Sequence, residues 1–118
     1  MLQTTKRLMR PAIMLSGQET ADILLYITGA VHGFTASEPE KAFAVRDLFG
    51  GKNSDWDSTP LQTIFNRYSE DMPKEEAAKR AGIDVGRLLK IVLDEDKYTY
   101  LEEETDPRTC RYIRIVSQ

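Results

Sequence analysis

Cysteine and histidine are scarce in this chain of 118 residues, which contains one of each, Cys110 and His32. A single cysteine excludes an internal disulfide, and the pair falls short of the ligand set of a structural zinc site. The sequence also lacks a nucleophile with an adjacent base, a glycine-rich phosphate loop and the spacing of a calcium loop. We therefore predict a protein that is not an enzyme and holds neither a metal ion nor a cofactor.

Long apolar runs and a surplus of positive charge are absent as well. The basic start, with Lys6, Arg7 and Arg10, is followed by an apolar run that polar residues break over 16–22. This pattern argues against export and membrane insertion and favours a cytoplasmic protein with no membrane partner. The formal charge of −3 and pI near 5.2 do not give the chain the basic character of many nucleic-acid binders. Any binding of nucleic acid therefore requires a local basic patch.

Capping residues and apolar periodicity indicate two helices in the first part of the chain. Ser16 and Glu19 have capping-box spacing, so we predict a helix over 17–32 that ends at Gly33. Thr59 as N-cap and Pro60 at the first helical position predict a second helix over 60–70. The first helix has more apolar residues than one buried stripe needs, and we predict a homodimer through it. These residues are Ile23, Leu24, Leu25, Tyr26 and Ile27.

Alternating and β-rich segments indicate three strands. Phe43 and Val45 alternate with polar or small residues, which predicts a strand over 43–48. The segments 97–101 and 111–116 flank an acidic turn and predict a C-terminal β-hairpin. We divide the chain into a flexible N-terminal arm, 1–15, and a single domain, 16–118.

The segment KEEAAKRAGIDVGRLLKIV, which begins at Lys74, has the spacing of two short helices around a glycine turn. Ala78 suits a close helix contact, Gly82 suits the turn, and Asp84 suits the N-cap of the second helix. We therefore predict helices over 74–81 and 84–94, with Ile83 filling the angle between them.

These residues resemble the helix-turn-helix signature, here spanning Glu75 to Val92. Together with the hairpin and the earlier strand, they resemble a winged helix-turn-helix domain, although the helix over 60–70 is an addition to its simplest order. The resemblance implies an α+β fold with about four helices and a small antiparallel sheet, and a role in DNA binding or transcription regulation. The segment FAVRDLFGG, Trp56, Pro60 and the hairpin are more faintly similar to an uncharacterised small-domain family of bacterial phages and mobile elements.

In the helix-turn-helix interpretation, the second helix enters the major groove, and Arg87 and Lys90 reach guanine or phosphate. The full set of predicted nucleic-acid contacts is Lys79, Arg80, Arg87, Lys90, Arg108 and Arg111. The alternative is a protein–protein interaction module, either an inhibitor or a nucleic-acid mimic, without DNA binding. Seven acidic residues against the single base Lys97 between Asp94 and Asp106 support that alternative.

Overall fold

A computed structural model describes residues 1–49, 56–106 and 109–115 of the chain. These residues form four helices and a small three-stranded sheet, which confirms the predicted α+β class. The elements are β1 (Leu2–Gln3), α1 (Gly17–Ser37), α2 (Val45–Phe49), α3 (Gln62–Ser69), α4 (Lys74–Glu95), β2 (Thr99–Asp106) and β3 (Thr109–Ile115).

The start of α1 confirms the predicted capping box. The Glu19 N–H donates to Ser16 Oγ at 3.0 Å, and the Ser16 N–H donates to Glu19 Oε1 at 2.8 Å. The predicted end at Gly33 is wrong, because α1 continues to Ser37. Thr35 is buried in the added turn, so burial holds the helix past a residue that favours termination.

The predicted strand over 43–48 is also wrong. Phe43 alone pairs with the sheet, exchanging two backbone hydrogen bonds of 2.8 Å with Tyr112 of β3. The chain then turns into α2, where the Asp47 carboxylate at the third helical position reaches back and accepts the Ala44 N–H at 2.7 Å, as in one half of a capping box. The segment whose apolar alternation predicted a strand therefore consists of one bridge residue followed by a short helix.

The predicted helix over 60–70 is confirmed as α3, although its predicted start is wrong. The Thr59 hydroxyl donates to the Trp56 carbonyl at 2.8 Å, so it does not cap α3. Residues 57–61 form turns, and α3 begins at Gln62 without a side-chain cap. The contact of Thr59 with the preceding turn explains the shift of two residues from the predicted start.

The largest correction concerns α4, which is one continuous helix of 22 residues. The predicted turn at Gly82 does not form, and Ile83, predicted to fill it, is 56% exposed. A glycine inside a helix costs about 1 kcal/mol relative to alanine. Against that cost, a buried stripe runs unbroken across the predicted turn, and burying each large aliphatic side chain contributes about 1.5 to 3 kcal/mol. Its members are Ala77, Ala81, Val85, Leu88, Leu89, Val92 and Leu93.

The sheet has the order β1-β2-β3 and is mixed, not purely antiparallel as predicted. β2 and β3 form the predicted hairpin, but they extend over the acidic residues that were assigned to its turn. β1 comes from the N-terminal arm and pairs in parallel with β2, with Leu2 beside Tyr100. The arm therefore contributes backbone hydrogen bonds to the sheet.

The core lies between the helices and one face of the sheet, which we call the inner sheet face. This face presents Leu2, Tyr100 and Tyr112, all buried, toward the apolar stripe of α4. Phe43 completes this layer, with its ring next to those of Phe34, Tyr100 and Tyr112. None of the helices in the described residues combines the length and the apolar character that crossing a membrane requires.

Candidate nucleic-acid interface

The side of α4 that faces away from the core is rich in basic residues. Arg80 and Arg87 are seven residues apart, Arg87 and Lys90 are three apart, and Lys79 precedes Arg80, so at about 3.6 residues per turn the four side chains fall within about a third of the helix circumference. We call them the basic face: Lys79, Arg80, Arg87 and Lys90. Lys79 and Arg80 are exposed, whereas Arg87 and Lys90 are half-buried. Exposed Ile83 lies among them, so the face combines positive charge with one apolar side chain.

The N-terminal arm crosses this side of α4. Near the C-terminal end of the helix, the Leu2 N–H donates to Asp94 Oδ1 at 3.3 Å. Near its middle, the Ala12 and Ile13 N–H groups donate to the Asp84 carboxylate at 2.8 and 3.1 Å. The arm thus runs antiparallel to α4. The segment between these anchor points contains three exposed cations, namely Lys6, Arg7 and Arg10.

Asp84 anchors the arm from a buried position, with 1% of the residue exposed. Besides the two arm amides, its Oδ2 accepts the Tyr68 hydroxyl at 2.5 Å, and Arg87 Nη1 lies 3.7 Å from Oδ1. Burial and the hydrogen bond to Asp84 raise the pKa of Tyr68 to about 12, so this hydroxyl stays protonated and donates. The predicted role of Asp84 as a helix N-cap is wrong, because it lies inside α4.

Glu102 of β2 is a second carboxylate beneath the cations. Its Oε1 lies 3.3 Å from Lys90 Nζ and 4.0 Å from Lys6 Nζ. Only 5% of the Glu102 side chain is exposed, compared with 45% for Lys6 and 19% for Lys90. Burial alone would raise the pKa of Glu102, but hydrogen bonds and the Lys90 charge outweigh burial and lower it. Asp84 and Glu102 are therefore buried on this side, while the Lys6 side chain reaches solvent.

The predicted site residues do not all meet on one surface. Arg80 lies on the basic face and also pairs with Glu76 at 3.3 Å. Arg111 alternates with buried Tyr112 along β3, so it lies on the opposite face of the sheet from α4. Arg108 lies outside the described residues. The structure thus groups the four predicted site residues of α4 and separates Arg111 from them.

Comparison with family models, curated protein sequences and solved structures finds no match for this chain. The geometry of its own residues therefore carries the functional argument. Sequence reasoning missed the anchoring role of Asp84, although one signal was present. Asp84 falls at helical spacing with Ala81 and Leu88, which are buried, and a carboxylate within a buried stripe requires internal donors.

A further carboxylate, Asp96, joins α1 to the sheet at the end of α4. It accepts the Tyr100 hydroxyl at 2.5 Å and lies 2.9 Å from His32 Nε2. Burial would raise the pKa of Asp96, but the hydrogen bonds from Tyr100 and His32 outweigh burial and lower it. Asp96 and Glu102 therefore both favour their ionised forms more strongly in the folded chain than in the unfolded chain.

We expect acid to destabilise the fold through these two groups. Because the pKa of each carboxyl is lower in the folded chain, each group adds to the free energy of unfolding. This stabilisation is complete above the ordinary pKa values of 3.8 and 4.5 and is lost as the pH falls through the pKa of the folded chain. Urea unfolding measured from neutral pH into the acid range should show this loss. Asp96→Asn should have a shallower pH dependence, whereas exposed Asp71→Asn should follow the parent chain. An unchanged profile in Asp96→Asn would contradict the assignment.

Proposed function

We propose that this chain is a small non-enzymatic DNA-binding protein that contacts duplex phosphates with the basic face of α4 and the adjoining arm. One observation carries the proposal. On this side the carboxylates of Asp84 and Glu102 are buried and used internally, while basic side chains of α4 and the arm reach solvent. A local positive surface on a mildly acidic chain is what phosphate binding requires.

The proposed mode of binding differs from that of a short recognition helix. The continuous α4 lacks the turn on which the resemblance to winged helix-turn-helix domains was based, so DNA as the ligand rests on the basic face and the arm, and a role in transcription regulation rests on the sequence resemblance alone. Because α4 is continuous, its middle presents a long side and not a helix N-terminus to a ligand. The exposed groups there are mainly cations, which bind phosphates without reading base edges. We therefore propose binding that depends weakly on DNA sequence.

The test is fluorescence anisotropy of a labelled random-sequence duplex titrated with the protein at low and moderate salt. If about four phosphates are neutralised, affinity should fall about a hundredfold between about 50 and about 200 mM salt. The double variant Lys79→Glu, Arg80→Glu should bind at least about tenfold more weakly at the lower salt, a loss of about 1.4 kcal/mol or more. Both positions are exposed, so the variant should keep its fold, which circular dichroism verifies.

A matched control separates the basic face from overall charge. Lys41→Glu with Arg46→Glu alters the net charge by the same amount at two exposed positions outside α4 and the arm. This control should bind DNA almost as well as the parent chain. Equal weakening by both double variants would reduce the effect to net charge and contradict the proposed site. No binding at the lower salt would reject the proposal and favour the predicted protein-interaction module.

A further inference from the structure

The sheet has a second face that the helices do not cover. Along β2 and β3, side chains alternate between the inner sheet face, with buried Tyr100 and Tyr112, and an outer sheet face. The described side chains of this outer sheet face are Gln3, Thr99, Leu101, Glu103, Arg111, Ile113 and Ile115. The open face of an antiparallel pair is commonly polar. Here three neighbouring aliphatic residues occupy it, with Leu101 38% and Ile115 40% exposed.

The strand register arranges the residues of β2 and β3 on this face in three rows, Thr99 with Ile115 and two rows of like or complementary partners. Leu101 lies directly across from Ile113, and Glu103 lies directly across from Arg111. Each row thus has one member on β2 and one on β3, and the charged row has opposite signs on the two strands. No ion pair joins Glu103 to Arg111 within the part of the chain that the structure describes.

We propose that the outer sheet face binds a second copy of this chain. A twofold axis that runs parallel to the strands, between β2 and β3, places β2 of one copy over β3 of the other. Each Leu101 then meets Ile113 of the other copy, and each Glu103 meets Arg111 of the other copy. A twofold interface must be self-complementary, and the register supplies that property in both the apolar row and the charged row.

This surface is separate from the proposed DNA-binding side. α4 packs on the inner sheet face, where Lys90 contacts Glu102, so the basic face and the outer sheet face do not overlap. Two copies joined through their sheets would each keep the arm and α4 accessible. The inference does not depend on DNA binding and also differs from the homodimer predicted through the first helix.

Charge exchange between copies tests this arrangement by sedimentation velocity across a wide range of protein concentrations. In a dimer of Glu103→Arg, and likewise in a dimer of Arg111→Glu, like charges face each other at two places in the interface. Each single variant should therefore weaken self-association at least about tenfold. An equal mixture of the two single variants restores both opposite-charge pairs and should associate as a mixed dimer. The double variant Glu103→Arg, Arg111→Glu should associate with itself like the parent chain.

The outcome also distinguishes this surface from others. Leu101→Asp should abolish self-association, whereas Leu25→Asp, at a position of α1 that is 74% exposed, should leave it unchanged. Circular dichroism and the mixing experiment together exclude misfolding, because a misfolded variant would not regain association with its counterpart. A monomeric parent chain at every concentration, or a mixture no stronger than either single variant, would overturn the proposal. So would association that only Leu25→Asp removes.

Discussion

Replacing Asp84 with alanine is expected to lower the free energy of unfolding by about 3 to 5 kcal/mol. The carboxylate accepts three hydrogen bonds, from the Ala12 and Ile13 N–H groups and from the Tyr68 hydroxyl. Alanine leaves these donors without their acceptor. Because Tyr68 is buried, water does not readily replace the carboxylate as the acceptor of its hydroxyl. Arg87 also loses the carboxylate 3.7 Å away. Urea unfolding followed by circular dichroism measures the loss.

The comparison with other variants identifies the cause of that loss. Asp84→Asn keeps the shape and one acceptor oxygen but turns an amide group toward donors, and we expect a loss of about 2 kcal/mol. Glu76→Ala, in the same helix, removes only an exposed pair with Arg80 and should cost less than about 0.5 kcal/mol. Amide exchange at Ala12 and Ile13 should accelerate in both Asp84 variants. A stability of Asp84→Ala within about 0.5 kcal/mol of the parent would contradict the anchoring role.

Replacing Phe43 with alanine is the second large effect, with an expected loss of about 3 to 5 kcal/mol. Phe43 is fully buried, and its ring centroid lies 5.4 Å from that of Phe34 and 6.0 Å from that of Tyr112. Alanine leaves a cavity in this aromatic layer, and the surrounding rings relax only partly into it. Thermal and urea unfolding measure the change.

A graded series tests whether packing is responsible. Phe43→Leu restores most of the volume and should cost about 1.5 kcal/mol or less. Leu25→Ala removes a side chain that is 74% exposed and should stay within about 0.5 kcal/mol of the parent. Equal losses in Phe43→Ala and Phe43→Leu would contradict a cavity term. They would indicate that the substitution acts by weakening the backbone bridge between residue 43 and Tyr112, and not by removing the volume of the Phe43 ring.

Local patterns were sufficient for the elements whose cause is local. The capping box at Ser16 and Glu19 sets the start of α1, and its two hydrogen bonds form between residues three apart. The apolar stripe of α3 and the two β-rich segments of the hairpin also fall near their predicted positions. In each case the residues that determine the structure are neighbours in the sequence.

The helix-turn-helix prediction failed where local and distant effects compete. Gly82 and Asp84 are compatible with a turn and a cap, and a sequence window contains both signals. The alternative, a continuous helix, gains its stability from burial against α1, α3 and the sheet. That gain is visible only when the packing partners are known, because a glycine penalty of about 1 kcal/mol is small beside the burial of several aliphatic residues.

The features of the candidate site likewise fall into those that local sequence predicts and those that depend on contacts between elements. Residue order is enough to predict the acidic net charge, the helical spacing of Lys79, Arg80, Arg87 and Lys90, and the alternation along the hairpin. Packing between elements places the arm on α4, since Ala12 and Asp84 are 72 residues apart. It also places Arg111 on the opposite sheet face. Periodicity orders residues within one element, whereas contacts between elements depend on the free energy of burying all of them together.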